Sequence, residues 1–156
     1  RLVSDWSSDV CSSDLAFPPE LLIAQWAVES AWGTRRIGRN NVFGIKCAAR
    51  HDVCFEVETH EVVKGKRVRL VQRFADYPSL TAACIDYLSL LTQRGAYREE
   101  WLSYLGDQDF EAFVRGVAKV YATDPNYADL VLTIARQRNV AVALKLAREA
   151  IERGGV

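Results

Sequence analysis

The sequence predicts a mainly helical α+β domain, a helical lobe with one small β-hairpin inserted early in the chain. Three observations predict it. Leu21 to Trp32 carries apolar residues at helical spacing between a proline pair and a glycine. Cys54 to Glu61 and Arg67 to Phe74 alternate, are rich in β-branched residues and flank Lys64-Gly65-Lys66, the pattern of a hairpin. Everything after the hairpin reads as helical.

The elements follow in order from Ala16. Pro18 and Pro19 suit a helix start, where a missing N–H leaves no bond unmade. Gly33 is the expected left-handed stop of that helix. Thr34 to Lys46 is rich in turn residues, among them Gly38, Asn40, Asn41 and Gly44. After the hairpin, Ser79 is placed to cap a helix running to about Thr92, and Asp107 or Asp109 one running to about Val120. Thr123-Asp124-Pro125 is a further start signal, with Asp124 as N-cap and Pro125 at the first helical position. Asn139 to Arg153 is rich in Ala, Leu and Arg, and Gly154 follows it.

Residues 1–15 do not fit this scheme. They have neither helical nor strand periodicity, and they lack the regions of a signal peptide. Codons for Asp5 to Leu15 can be written that resemble a common sequencing-library adapter. The expectation is therefore that residues 1–15 are adapter-derived or disordered, and that residues 16–156 form a single, N-terminally truncated domain. Cys11 then falls outside the cysteine arithmetic.

Composition bounds the function. The 156 residues carry 20 basic and 20 acidic side chains, 26% charged and 49% hydrophobic, which fits one globular core. No basic stripe with interleaved aromatics points to nucleic acid, and no apolar run is long enough to span a bilayer. Neither a His-Glu-x-x-His motif nor a phosphate-cradling glycine loop occurs. Cys47 and Cys54 can bridge a short loop or stay reduced. With His51 they also make an incomplete zinc set lacking a fourth ligand, so no metal and no cofactor is expected.

The residue that stands out is Glu29. Helical spacing sets it on one side with Leu22, Gln25, Trp26 and Trp32, a carboxyl group in an apolar, aromatic stripe. It also falls in the last turn, where the helix dipole disfavours an anion. Burial and dipole both raise a carboxyl pKa. A carboxylic acid still protonated near neutral pH is what glycoside cleavage needs. Periodicity alone is equally met by a glutamate at the edge of a core helix with its head in water.

Three blocks carry a resemblance: Ala27-Val28-Glu29-Ser30-Ala31-Trp32-Gly33, Asn41-Val42-Phe43-Gly44-Ile45-Lys46, and Tyr121-Ala122-Thr123-Asp124-Pro125-Asn126-Tyr127-Ala128. In that order, with Phe74-Ala75-Asp76-Tyr77-Pro78-Ser79 between the last two, the chain resembles glycoside hydrolase family 73, the peptidoglycan N-acetylglucosaminidases of bacteria and phages. The similarity runs from about Pro18 to Leu132. It implies a lysozyme-like fold with a substrate cleft between the helical lobe and the β-lobe. It implies action on peptidoglycan glycan strands in the cell envelope or outside the cell, by a monomer without membrane insertion.

The resemblance also assigns roles. Glu29 corresponds to the general acid. Glu61 is the implied second carboxylate, with Glu56 and Glu58 as competitors; alternation puts those two on one strand face and Glu61 on the other. Tyr121 corresponds to a tyrosine near the reacting sugar. Asn41 and Phe43, with Gly44, are read as a turn at the cleft floor, packing rather than touching sugar. Trp32 either stacks on a sugar or fills the core, the core being preferred, and Tyr127 joins the substrate-binding set. Whether Glu61 activates water or the substrate's own acetamido group attacks stays open. A muramidase, a lytic transglycosylase and a non-catalytic wall-binding module are the alternatives.

Overall fold

The computed structural model describes residues 17–63 and 66–154, with the side chains of residues 60–63, 66 and 67 outside that description. The adapter-like segment, Cys11 and the Lys64-Gly65 turn lie outside the described residues. In chain order the elements are α1 (Pro19–Ser30), β1 (Cys54–Val63), β2 (Lys66–Ala75), α2 (Leu80–Gln93), α3 (Gly95–Asp107), α4 (Phe110–Tyr121), α5 (Tyr127–Ala135) and α6 (Arg138–Glu152). The mainly helical α+β expectation holds. Among the described residues no helix is long and apolar enough to cross a membrane.

Helix α1 starts as expected, with Pro18 at the N-cap and Pro19 in the first turn. Its end differs from expectation. The chain turns left-handed already at Ala31, and Trp32 and Gly33 follow with positive φ. The Ser30 hydroxyl explains the early stop: it donates to the Trp26 carbonyl and accepts the Gly33 N–H at 2.8 Å, competing with the helical ladder. Gly33 is needed for another reason as well, since a Cβ there would sit 2.9 Å from the Trp26 ring. Trp32 is thereby carried out of the helix and is 44% exposed, meeting the Trp26 ring edge-on. The preferred core placement of Trp32 is therefore wrong: periodicity assumed a helix that had already ended.

The buried face of α1 is Leu21, Ala24, Gln25 and Ala27, packed against α5 and α6. Phe17, Trp101, Tyr104 and Phe113 form an aromatic cluster that joins α1's N-terminal side to α3 and α4. Ser79 caps α2 by accepting the Ala82 N–H, and Asp109, not Asp107, caps α4 by accepting the Ala112 N–H. Helix α5 begins two residues later than the Asp124-Pro125 signal implies. Asp124 accepts the Asn126 N–H, so it caps a turn that contains Pro125, and the helix opens at Tyr127.

The hairpin is a two-stranded antiparallel sheet in register from Cys54↔Ala75 to Val63↔Lys66, each strand longer than predicted. An isolated two-stranded ribbon is marginal in water. This one is fastened at its base. Cys47 and Cys54 form a disulfide, the Cys47 N–H donates to the Arg73 carbonyl, and the Ala75 N–H donates to the Ile45 carbonyl. Asn41 is 1% exposed and binds Ile45 N–H, Ile45 C=O and Ala75 C=O at 2.8–3.1 Å. Asp76 closes the same seam, accepting from the Arg39 N–H and Nε, both at 2.8 Å. The disulfide consumes both thiols of the incomplete zinc set, and His51 turns instead to Asp86, 3.1 Å away.

Replacing Asn41 by Ala would leave buried backbone groups without partners. It should lower stability by roughly 2–4 kcal/mol. A urea melt reads this directly, and an unchanged midpoint would rule out the seam as a stabilising feature.

Candidate active site

Glu29 sits in the last turn of α1, half-buried between the core face and solvent. Oε1 accepts the Tyr127 hydroxyl at 2.6 Å. Oε2 lies over Gly44, where a Cβ would come within 3.3 Å of it; Gly44 also has φ +65°, so two constraints favour glycine there. Burial raises the carboxyl pKa above its ordinary value, and the Tyr127 hydrogen bond partly offsets this. The expected aromatic stripe is only partly right. Trp26 turns to Gly33 and Trp32, and the rings close to the carboxylate are those of α5 and α4.

Tyr127 is held in turn. Its hydroxyl accepts from Gln25 Nε2 at 3.0 Å, and the Tyr87 hydroxyl donates to Gln25 Oε1. Gln25 and Tyr87 are fully buried. Because the Tyr127 oxygen receives the amide proton, its own proton is directed to Glu29 Oε1. An acidic proton on Glu29 therefore belongs on Oε2, the oxygen that faces Gly44. Sequence reasoning missed Gln25 and Tyr87 as part of this set. Gln25 had a signal, a polar residue one helical turn before Glu29 on a buried face; Tyr87 had none.

The remaining predicted residues divide clearly. Tyr121 donates to the Phe43 carbonyl at 2.5 Å and stacks on Tyr127, with ring centroids 6.0 Å apart. Phe43 is 1% exposed and stacks on Tyr87 at 4.3 Å. Asn41 spends its amide on the backbone seam described above. Phe43 and Asn41 therefore pack, as the preferred reading of that turn had it, and neither offers a surface to a sugar. Tyr127 is 7% exposed with both hydroxyl partners supplied by the protein, so it meets Glu29 and Gln25. Trp32, the residue expected inside, is the exposed ring near this end of α1.

The side chain of Glu61 lies outside the described residues, but its backbone pairs with Val68. That register gives it the parity of Val57 and Thr59, which pair with Gln72 and Leu70. On that face Val57, Thr59, Val68 and Gln72 are half-covered while Phe55 and Leu70 are exposed; on the other, Glu56, Glu58, Val71 and Arg73 are all exposed. Glu58 forms an ion pair with Arg69 there.

A second polar cluster stands beside the site. Asp86 on α2 accepts from Arg50 through two nitrogens at 2.9 Å and from Tyr77 at 2.7 Å, with Arg94 at 3.7 Å. Burial opposes its charge, but the hydrogen bonds from Arg50, Tyr77 and His51 outweigh it and hold the carboxyl well below the usual range. The cluster locks the 47–53 loop to α2.

The chain is similar to known proteins. The chain is 33% identical over 135 residues to the peptidoglycan hydrolase FlgJ of Salmonella typhimurium, covering 82% of this chain and 42% of that protein. It is 32% identical over 124 residues to the exo-glucosaminidase LytG of Bacillus subtilis, covering 76% and 43%. The chain thus spans less than half the length of these relatives. Among solved structures, a peptidoglycan hydrolase mutant from Sphingomonas sp. A1 superposes with a TM-score of 0.68 at 31% identity, covering 82% of this chain and 85% of the other. A C-terminally truncated glycoside hydrolase domain from Salmonella typhimurium FlgJ gives 0.57 at 31% identity, covering 79% and 84%. The family model described as mannosyl-glycoprotein endo-beta-N-acetylglucosaminidase matches residues 9–140, so the chain belongs to the glucosaminidase family.

Proposed function

We propose that this chain is a peptidoglycan hydrolase that cuts the β-1,4 bond between N-acetylglucosamine and N-acetylmuramic acid, with Glu29 as the general acid. One observation carries the reading: a carboxyl group whose pKa burial raises, with one oxygen tied to Tyr127 and the other beside Gly44. Glu29 Oε2 gives its proton to the bridging oxygen as an oxocarbenium-like transition state forms. The family membership and the names of the relatives support the substrate class.

Glu61 is the second carboxylate in this reading. Its strand parity supports it over Glu56 and Glu58, which belong to the exposed face. It either activates water on the far side of the sugar or orients the substrate's acetamido oxygen for attack. Tyr121 acts here by holding the Phe43 carbonyl and backing Tyr127. Trp32 is free to stack on a sugar ring at the end of α1. The place of action is the cell envelope or the outside of the cell, where peptidoglycan lies; the Cys47–Cys54 disulfide fits an oxidising compartment.

Release of reducing sugar from purified peptidoglycan, with mass spectrometry of the products, tests the reading. N-acetylglucosamine reducing ends are expected, falling by roughly 10²–10⁴-fold in Glu29→Gln. Muramic acid reducing ends or anhydro products would reassign the bond to a muramidase or transglycosylase. Wall binding without release would leave a binding module.

Tyr127→Phe removes the donor that holds the Glu29 pKa down. A general acid acts while protonated, so the alkaline limb of the kcat/KM profile should move to higher pH while the maximum falls by about tenfold. A limb that stays in place would dismiss the hydrogen bond as a control on Glu29.

Glu29→Gln should also stabilise the fold near neutral pH. The folded pKa of Glu29 lies above its unfolded value, so the wild type loses stability as pH rises through that window and keeps it below. The variant should melt higher at pH 7, by on the order of 2–4 °C per kcal/mol released, and the gap should close near pH 4. Calorimetry at the two pH values checks this; a gap independent of pH would contradict it.

A further inference from the structure

Tyr87 stands behind the Glu29–Tyr127 pair and touches neither oxygen of the acid. Its ring is fully buried, stacked on Phe43 at 4.3 Å and edge-on to Phe17 and Tyr121. Burial pushes its pKa well above the ordinary value, so the hydroxyl keeps its proton and has to donate it. Among the described residues that hydroxyl has one acceptor, Gln25 Oε1. An amide has two ends, and one of them is thereby fixed. With Oε1 held toward Tyr87, Nε2 is left to face Tyr127, and it donates to that hydroxyl at 3.0 Å. Turning the amide over would leave the Tyr87 proton without an acceptor among Phe17, Phe43 and Tyr121, and a buried unsatisfied donor is costly.

We infer that Tyr87 is a positioning residue for the reaction, holding the Gln25 amide in the one orientation that keeps the acidic proton of Glu29 on Oε2. The inference rests on the reading of Glu29 as the general acid. Without the Tyr87 hydroxyl, Gln25 Oε1 is free to turn to Tyr127. Tyr127 then donates to Gln25 and presents a lone pair to Glu29 Oε1. Two acceptor oxygens 2.6 Å apart repel unless one carries a proton, so the acidic proton moves to Oε1 and is donated to Tyr127. Oε2, the oxygen beside Gly44, then has none to give. The turned amide thus holds the proton on the wrong oxygen while Glu29 and Tyr127 themselves are intact. The other tyrosines around this set do not replace Tyr87. Tyr121 from α4 gives its proton to the Phe43 carbonyl, and Tyr97 from α3 lies with its ring against Tyr121.

Tyr87→Phe removes the hydroxyl and keeps the ring. Two readouts follow Glu29 in this variant: the pH profile of hydrolysis of soluble peptidoglycan fragments, and the Glu29 carboxyl carbon titrated by NMR in the free protein. Both the titration and the alkaline limb of kcat/KM should move to higher pH, because the neutral acid gains a hydrogen bond and the carboxylate loses one. kcat should fall by about fivefold, the effect of one ordinary hydrogen bond, with KM held. The deciding variant is Gln25→Leu/Tyr87→Phe. It has no amide to turn, so Tyr127 donates to Glu29 again, and both the titration and kcat should return toward the wild type. A purely structural role for Tyr87 predicts the reverse, a double variant at least as impaired as the single one. That result would overturn the inference, as would an active wild type whose Glu29 titration is unmoved by Tyr87→Phe; either leaves the general-acid reading standing. A wild type that releases no sugar would remove the general-acid reading, and with it the positioning role, whatever the titration shows.

Discussion

A carboxyl group held partly out of water at the C-terminal end of a helix is the constraint around which this domain is arranged. Burial and the helix dipole both oppose its ionisation. What surrounds it is a set of tyrosines, each tied to the protein. Tyr127 comes from α5, Tyr121 from the end of α4 and Tyr87 from α2. Docking of three helices against α1 is therefore a condition for the site, and the core and the chemistry cannot be separated.

The turn-rich segment after α1 meets a different demand. It must bring Gly44 under Glu29 and also carry the hairpin. Asn41 does both, because one buried amide fixes Ile45 on one side and Ala75 at the end of β2 on the other. Asp76 fastens Arg39 to the same strand end, where a Cβ on Gly38 would collide with Asp76 and Phe55. Beyond this seam the strands run outward, and Val71 is 67% exposed. The ribbon is thus fastened where it joins the site.

Much of this was legible in the sequence where one local rule decides. Ser79 and Asp109 cap helices because a short polar side chain satisfies a free N–H, and that depends on nothing distant. The hairpin followed from alternation. Glu29 followed from a single charge on a buried face. The failures came where two local signals competed. Ser30 ended α1 before the periodicity did, which turned Trp32 outward. Asp124 spent its carboxylate on a turn and delayed α5. The Tyr87–Gln25–Tyr127 chain was illegible for another reason: its members are 62 and 102 residues apart, and only tertiary packing brings them together.

That chain has a direction, and the direction matters. A glutamine can accept from one tyrosine and donate to another at once; a glutamate could not donate when ionised, and a methionine could do neither well. Gln25 therefore aligns the three hydroxyl and amide protons toward Glu29. In the proposed reaction Tyr127 first donates to the neutral form of the acid, a bond of ordinary strength. As the proton leaves Oε2, the same hydroxyl comes to face a carboxylate, and hydrogen bonds to ionised groups are about twice as strong. The gain arises along the reaction coordinate and not in the resting site, which is the kind of interaction that lowers a barrier. In the proposed reaction burial favours the protonated form of Glu29, and the tyrosine stabilises the charge left behind; the two opposing influences on one pKa then act at different moments of the same step.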